Sequence, residues 1–232
     1  MTKHRLNCLR VSFLFLSLVS PGVLRAQDSL PRKPVAFSAG MGVSYVRAVD
    51  IVDYVNQFTG PSDKLSDFTS AVEFFAAPEI SLNSEFGLKL EYSYLLKSYT
   101  VARTDGTYSF EYSVHMPTAL LVYVLEGDGF YVKLGGGFGY HFGRFTQLFP
   151  NSATESRFTS SGPGFKLEVM GNTAFSESLY GLIGGDLRLD LVGTLKDGTG
   201  KELEIRRAFG PIDPVRLHFF SAGIKFGLVY YF

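Results

Sequence analysis

Charged side chains recur at every second position in three stretches of this 232-residue chain: Lys89 and Glu91; Lys166 and Glu168; Asp186, Arg188 and Asp190. Lys133, His141 and Lys225 have the same alternating surroundings. Alternate residues of an extended strand share a face, so each stretch turns its charges to one side. Charges enclosed together must pair, because an enclosed unpaired charge carries a heavy desolvation cost. Ion pairing is therefore the first chemistry these residues imply. Other chemistries are less well supported. His115 and His141 are expected to fall nearly opposite each other across a tight turn at 126–129, yet two histidines without cysteine or an assured third ligand make a poor metal site. In "HFFSAG" (218–223), His218 and Ser221 are three residues apart and fall on opposite faces of a regular strand, whereas a His–Ser relay needs contact between them. "KLGGGFGYHFG" (133–143) lacks the lysine–hydroxyl ending and the following helix of a phosphate loop. Its inward Gly135, Gly137 and Gly139 make room in a narrow interior instead. No catalytic, cofactor-binding or metal-binding residue is assigned.

Strands must position these charges. "GLKLEYSYLL" (87–96) puts Leu88, Leu90, Tyr92, Tyr94 and Leu96 on one side and Lys89, Glu91 and Ser93 on the other, with Leu95 as the exception. Eight such segments are expected near 35–47, 71–83, 86–98, 108–125, 130–144, 162–175, 179–193 and 215–232. Leu179, Ile183, Leu187, Leu189 and Leu191 share a face in the seventh. Phe220, Ala222, Ile224, Phe226, Leu228, Tyr230 and Phe232 share one in the eighth, opposite Ser221, Gly223, Lys225 and Gly227. The apolar faces carry essentially no charge, as lipid exposure demands: a Lys or Arg at the bilayer midplane costs about 2–4 kcal/mol. Connections alternate long and short. Loops near 48–70, around Asp105-Gly106, at 145–161 and at 194–214 interleave with tight turns at 83–85, 126–129 and 176–178, which places both ends of the barrel region on the short-turn side. Pro78 and Pro117 fall inside strands two and four, where proline cannot donate to an interior ladder. Bulges are expected there, so the lumenal placement of Glu79 and His115 depends on their strands keeping register.

Bulk properties agree with this reading. Twenty-two basic and twenty-two acidic side chains cancel, which argues against a nucleic-acid partner. Residues 1–26 read as a secretory signal: a basic start, the apolar run "VSFLFLSLV", then Pro21-Gly22 and an exit cleaved after Ala26, with Leu24 larger than the small residue usual two positions earlier. That run is too short to span a bilayer as a helix, which takes about 20 residues. Residues 27–34 form a polar tail and 35–232 the barrel. The single cysteine, Cys8, falls within the signal and precedes its apolar run, so neither a disulfide nor lipidation is expected.

The ending "IKFGLVYYF", with Phe226, Leu228, Tyr230 and terminal Phe232 at alternate positions, resembles the last strand of Gram-negative outer-membrane proteins. The whole pattern resembles small barrels of the OmpA, OmpX and OmpW kind. That resemblance implies an eight-stranded antiparallel up-and-down transmembrane β-barrel in the outer membrane, with both termini periplasmic and the final aromatics recognised by the barrel assembly machinery. It also implies aromatic girdles, left here to Tyr92, Tyr94, Phe142, Phe220 and Tyr230 because the chain has no Trp. The expectation is a non-enzymatic, monomeric barrel with a structural or surface-binding role. Its lumen is plugged by Lys89, Glu91, Lys133, Lys166, Glu168, Asp186, Arg188 and Lys225. Its partners are membrane lipids, with lipopolysaccharide as a further candidate: Lys196, Lys201, Arg206 and Arg207 read first as a solvated loop and second as contacts for lipopolysaccharide phosphates. "DIVDYVNQF" is expected as a short helix on the rim. The alternatives are a small-solute pore of the OmpW type, marked by a hydrophobic lumen; a lipid-modifying enzyme, marked by a Ser–His contact near the outer rim; and an accessory barrel of a secretion system.

Overall fold

The structure, a computed structural model, describes residues 33–60, 63–206 and 212–232. The signal at 1–26 and most of the tail at 27–34 lie outside the described residues. Strands β1 (Val35–Arg47), β2 (Phe68–Ser81), β3 (Phe86–Arg103), β4 (Gly106–Gly127), β5 (Phe130–Leu148), β6 (Ser156–Ala174), β7 (Leu179–Thr194) and β10 (Arg216–Tyr231) close into an antiparallel barrel in which β1 pairs with β10. Helix α1 (Val49–Asn56) and a small hairpin of β8 (Glu204–Arg206) and β9 (Ile212–Pro214) lie in the connections.

Closure removes the sheet edges that hydrocarbon would leave unsatisfied. The registers fix its stagger. A circuit from Phe37 through Pro78, Leu90, Ala119, Phe138, Phe165, Leu189 and Phe220 returns to β1 at Arg47, ten residues further along. Ten residues of stagger over eight strands correspond to a strand tilt of roughly 40°. From Phe37 to Phe220 that circuit is wholly apolar. Such residues point outward and stay exposed on the isolated chain, Phe138 at 70% and Leu167 at 63%. The molecule is thus greasy outside and, at mid-barrel, charged inside, the polarity of a wall built to face lipid.

Turns at 82–85, 128–129 and 175–178 sit at the end of the barrel that also holds the two strand termini, hereafter the turn end. The opposite, loop end carries the connections 48–67, 149–155 and 195–215. The fourth loop-end connection departs from expectation. Strands β3 and β4 run on to Arg103 and Gly106 and meet in a turn of two residues, Thr104 and Asp105, with Gly106 at φ 132°. The added rows are polar, so the apolar alternation that signals a lipid-facing strand stops before the strand does.

Neither expected bulge forms. The β2–β3 ladder passes from Ala76–Tyr92 to Glu79–Lys89, and β4–β5 from His115–Phe142 to Thr118–Gly139, with three residues passed on each strand. A rung is missing and the register is unchanged. Pro78 keeps its pairing with Phe37 and Pro117 with Tyr92, so each proline turns its missing N–H toward one neighbour only. Parity therefore survives on both strands. Glu79 points inward as expected, but His115 points outward although its strand keeps register, so its lumenal placement is corrected.

Candidate functional site in the barrel lumen

The charged residues converge at mid-barrel. Glu91 is the hub: its carboxylate lies 2.5 Å from Lys166 Nζ, 3.0 Å from Lys225 Nζ, 3.2 Å from Lys89 Nζ and 3.3 Å from Arg188 Nη2. Asp186 accepts from Arg188 at 2.9 Å and pairs with Lys225 at 3.1 Å. Lys166 reaches Glu168 at 2.6 Å, and Glu168 also holds Lys89. An acid absent from the sequence-based set, Glu73 of β2, completes the cluster at 2.5 Å from Arg188 and 2.7 Å from Lys225. Four acids (Glu73, Glu91, Glu168, Asp186) thus face four bases (Lys89, Lys166, Arg188, Lys225), all buried. The numbers balance, which is the condition for burying them at all.

Register explains how the β6–β7 hairpin contributes. Lys166 stands directly opposite Arg188, and Glu168 opposite Asp186, so like charges face each other across the ladder. Opposite charges meet on the diagonal, as in Lys166–Asp186 at 3.5 Å. Across the lumen, β3 supplies the carboxylate that offsets the repulsion. Lys133 is apart from this cluster and pairs with Glu79 at 2.7 Å toward the turn end. Glycine makes room for the charged side chains. A Cβ on Gly135 would lie 2.7 Å from Glu168 Cγ.

A third polar group borders the cluster. His141 Nδ1 hydrogen-bonds Asp190, and its Nε2 lies 3.2 Å from Thr118 Oγ1. Hydroxyl, imidazole and carboxylate stand in the order of a hydrolytic relay. His141 and Asp190 have no solvent exposure and Thr118 has 6%, so no substrate reaches the hydroxyl. The expected meeting of His115 and His141 does not occur, because the two rings lie on opposite sides of the wall. His115 stacks against Tyr94 outside, 4.9 Å between ring centroids, and bonds Tyr92 Oη at 2.5 Å. His218 is exposed on the outer face and Ser221 buried within.

Toward the loop end the lumen changes character. Leu95, the exception in the β3 alternation, points inward among Val114, Met116, Val192 and Leu217, and Phe110, Tyr112 and Phe145 lie above them. The sequence reading names only charged residues as lumen-filling, and this apolar storey is a second filling it does not include. It is also full. Helix α1 does not lie on the rim but enters the mouth, burying Ile51, Val52, Tyr54 and Val55. Its apolar positions fall on one face, which meets the barrel's inner wall. Tyr54 sits edge-on to Phe110 and Phe145 and donates to Gln147 Oε1 at 2.6 Å. Burial pushes the Tyr54 hydroxyl up to about 12, with the Gln147 hydrogen bond pulling the other way. Asp50 accepts the Arg216 N–H at 3.2 Å, tying the start of α1 to β10. Beside Lys133 and Glu79 at the turn end, a cavity of about 10 Å³ has room for roughly one water.

Phe226, Leu228, Tyr230 and Phe232 all face outward at the turn end, and the Phe232 N–H bonds Val35 O at 2.9 Å.

No protein-family model matches the chain, and no curated relative is found. Solved structures are informative. Neisserial surface protein A matches at a TM-score of 0.51 with 10% identity, covering 85% of this chain and 97% of its own. Ail, the attachment invasion locus protein of Yersinia pestis, solved with the heparin analogue sucrose octasulfate, matches at 0.51 with 11% identity, covering 87% and 99%. The fold is therefore that of the eight-stranded outer-membrane barrels. At these identities the likeness concerns architecture alone.

Proposed function

We propose that this is a non-enzymatic, monomeric barrel of the Gram-negative outer membrane with both termini in the periplasm, serving as a structural or surface-binding scaffold whose lumen passes no solute. One observation carries the reading: the lumen is occupied at two successive levels, by the Glu91-centred cluster and by α1 over an apolar storey. The charge-free belt of the outer wall at mid-barrel supports membrane residence, since each midplane Lys or Arg would cost about 2–4 kcal/mol. Fold likeness to outer-membrane barrels supports the compartment. Planar-bilayer recording on refolded protein is the test. No sustained conductance is expected, and long-lived open steps would overturn the closed lumen.

A pore of the OmpW type has one observation in its favour, the apolar loop-end storey, but α1 fills it and the ion cluster closes the path beneath. A hydrolytic reading meets the sealed Thr118–His141–Asp190 group. The outward residues Phe226, Leu228, Tyr230 and Phe232 serve as the assembly signal. Phe232→Ala is expected to slow insertion in cells while leaving refolding in micelles unchanged, and equal insertion rates would remove that role.

A further inference from the structure

Above the apolar belt, the outer face of β3–β6 continues as an ordered sheet surface. Register aligns Tyr94, His115, Phe142 and Ser161 in a border row across the four strands. The next row toward the loop end is Leu96, Ser113, Arg144 and Thr159, and the one beyond it Ser98, Glu111, Thr146 and Arg157. Hydroxyls and guanidiniums replace apolar groups within a single row. A hollow of about 680 Å³ opens there, lined by His115, Arg144, Thr159, Ser161 and Lys196. A second, of about 320 Å³, shares Arg144 and adds Ser113, Thr146 and Arg157. Arg144 is exposed and makes no ion pair or hydrogen bond with any described residue. Among the described residues, the Lys196 ammonium pairs with Glu202, at 3.1 Å, on a half-exposed side chain. The acids Glu111 and Glu155 line only the second hollow.

Directly below the border row lies an apolar depression of about 820 Å³. Its floor is made of small or truncated outward residues, Ala76, Pro78, Pro117, Ala119 and Pro163, between the walls of Leu90, Tyr92, Phe138 and Tyr140. Two hydrogen bonds mark the junction with the polar hollow: Tyr140 Oη with Ser161 Oγ at 3.1 Å, and Tyr92 Oη with His115 Nδ1. A greasy groove thus leads straight into a basic, hydroxyl-rich hollow at the edge of the hydrocarbon.

We infer that this face is a binding site for a phosphorylated glycolipid of the outer leaflet, an inference that rests on the outer-membrane reading above. The acyl chains lie in the Ala–Pro depression. The phosphate meets Arg144 and Lys196, since guanidinium and ammonium donors match phosphate oxygens in charge and geometry. The sugar hydroxyls meet Thr159 and Ser161.

The test uses protein refolded in zwitterionic micelles, with heat-modifiable migration verifying the barrel. Native mass spectrometry then compares the diphosphorylated glucosamine-disaccharide lipid, the same lipid without phosphates, and phosphatidylglycerol. The diphosphorylated glycolipid is expected to bind tightest. Arg144→Gln and Lys196→Gln should each weaken it on the order of fivefold and leave the dephosphorylated lipid unaffected. Ala119→Trp, which fills the depression from the lipid side, should weaken both glycolipids. Equal binding of the two glycolipids, or undiminished phosphate preference in the Arg144→Gln/Lys196→Gln protein, overturns the site. Phosphatidylglycerol binding as tightly as the glycolipid overturns the choice of occupant. Because binding is read in micelles, these results stand apart from conductance and from cellular location, so failure here and failure of the closed-lumen reading are separable.

Discussion

Glu91→Gln is the sharpest probe of the lumen. The substitution keeps the shape of the side chain and removes the charge that faces Lys89, Lys166, Arg188 and Lys225 at 2.5–3.3 Å. A cluster of four acids and four bases becomes one of three and four, with the surplus cation enclosed. Removing one partner from a buried ion pair costs about 3–5 kcal/mol, chiefly through the charge left behind. Four cations share this carboxylate, so the upper part of that range is expected. A second change makes the origin of the loss testable. Adding Lys166→Met restores three against three and is expected to return at least half of it, a coupling that a double-mutant cycle isolates. The assay is urea unfolding in micelles, followed by heat-modifiable electrophoresis and by tyrosine fluorescence, since the chain has no Trp. A Glu91→Gln cost below about 1 kcal/mol, the size of an exposed surface pair, would refute the account, as would a Lys166→Met change that adds to the damage.

Three further outcomes are expected. Phe138→Arg, harmless on a soluble protein at a side chain 70% exposed, should cost about 2–4 kcal/mol in bilayers; a change within about 0.5 kcal/mol in vesicle-based unfolding would mean the belt does not face lipid. Gly164→Ala places a Cβ 2.6 Å from Asp190 Oδ1 and against the His141 ring, an overpacking cost of about 1–3 kcal/mol. Gly171→Ala, whose nearest neighbour would be 3.7 Å away, should be near neutral in the same titration. Finally, Tyr54 titrates at about 12 when folded against 10.0 for the free side chain. The folded state holds this proton more tightly, so the stability it supports is complete below pH 10 and is lost as pH rises through 12. The loss amounts to roughly 3 kcal/mol. Unfolding of Tyr54→Phe followed from pH 9 to 12 should lack that step, and parallel curves for the two proteins would count against it.

Much of this architecture was legible in the alternation. A period of two is imposed by the strand itself, and enclosure in hydrocarbon forces every second residue to be apolar, so the eight strands and the side on which Lys89, Lys166 or Arg188 lies follow directly. What escaped had physical reasons. Glu73 shares parity with Glu79, six residues on, but Pro78 between them left strand two open to a slip; the wall absorbed the proline by dropping a rung. His115 was placed inside for a different reason: the register holds at Pro117, but the inward face of β4 (Val114, Met116, Leu120, Val122) is as apolar as its outward face, so parity could not tell the two apart. The loop-end storey escaped because its inward residues, such as Val114 and Met116, are as apolar as lipid-facing ones, and periodicity cannot separate a core from a membrane. Leu95 was the visible sign of it. Helix α1 was legible as a helix, but only the tertiary fold shows that its greasy face turns into the mouth.

The even matching of acids and bases has a consequence for descent. A lone replacement among those eight positions is a lesion, whereas two replacements of opposite sense make a tolerated step. Divergence in this part of the chain should therefore proceed by couples. Distant cousins would be expected to have traded whole partnerships, a lysine and glutamate lost together or exchanged between strands, long after any resemblance in their loops has faded.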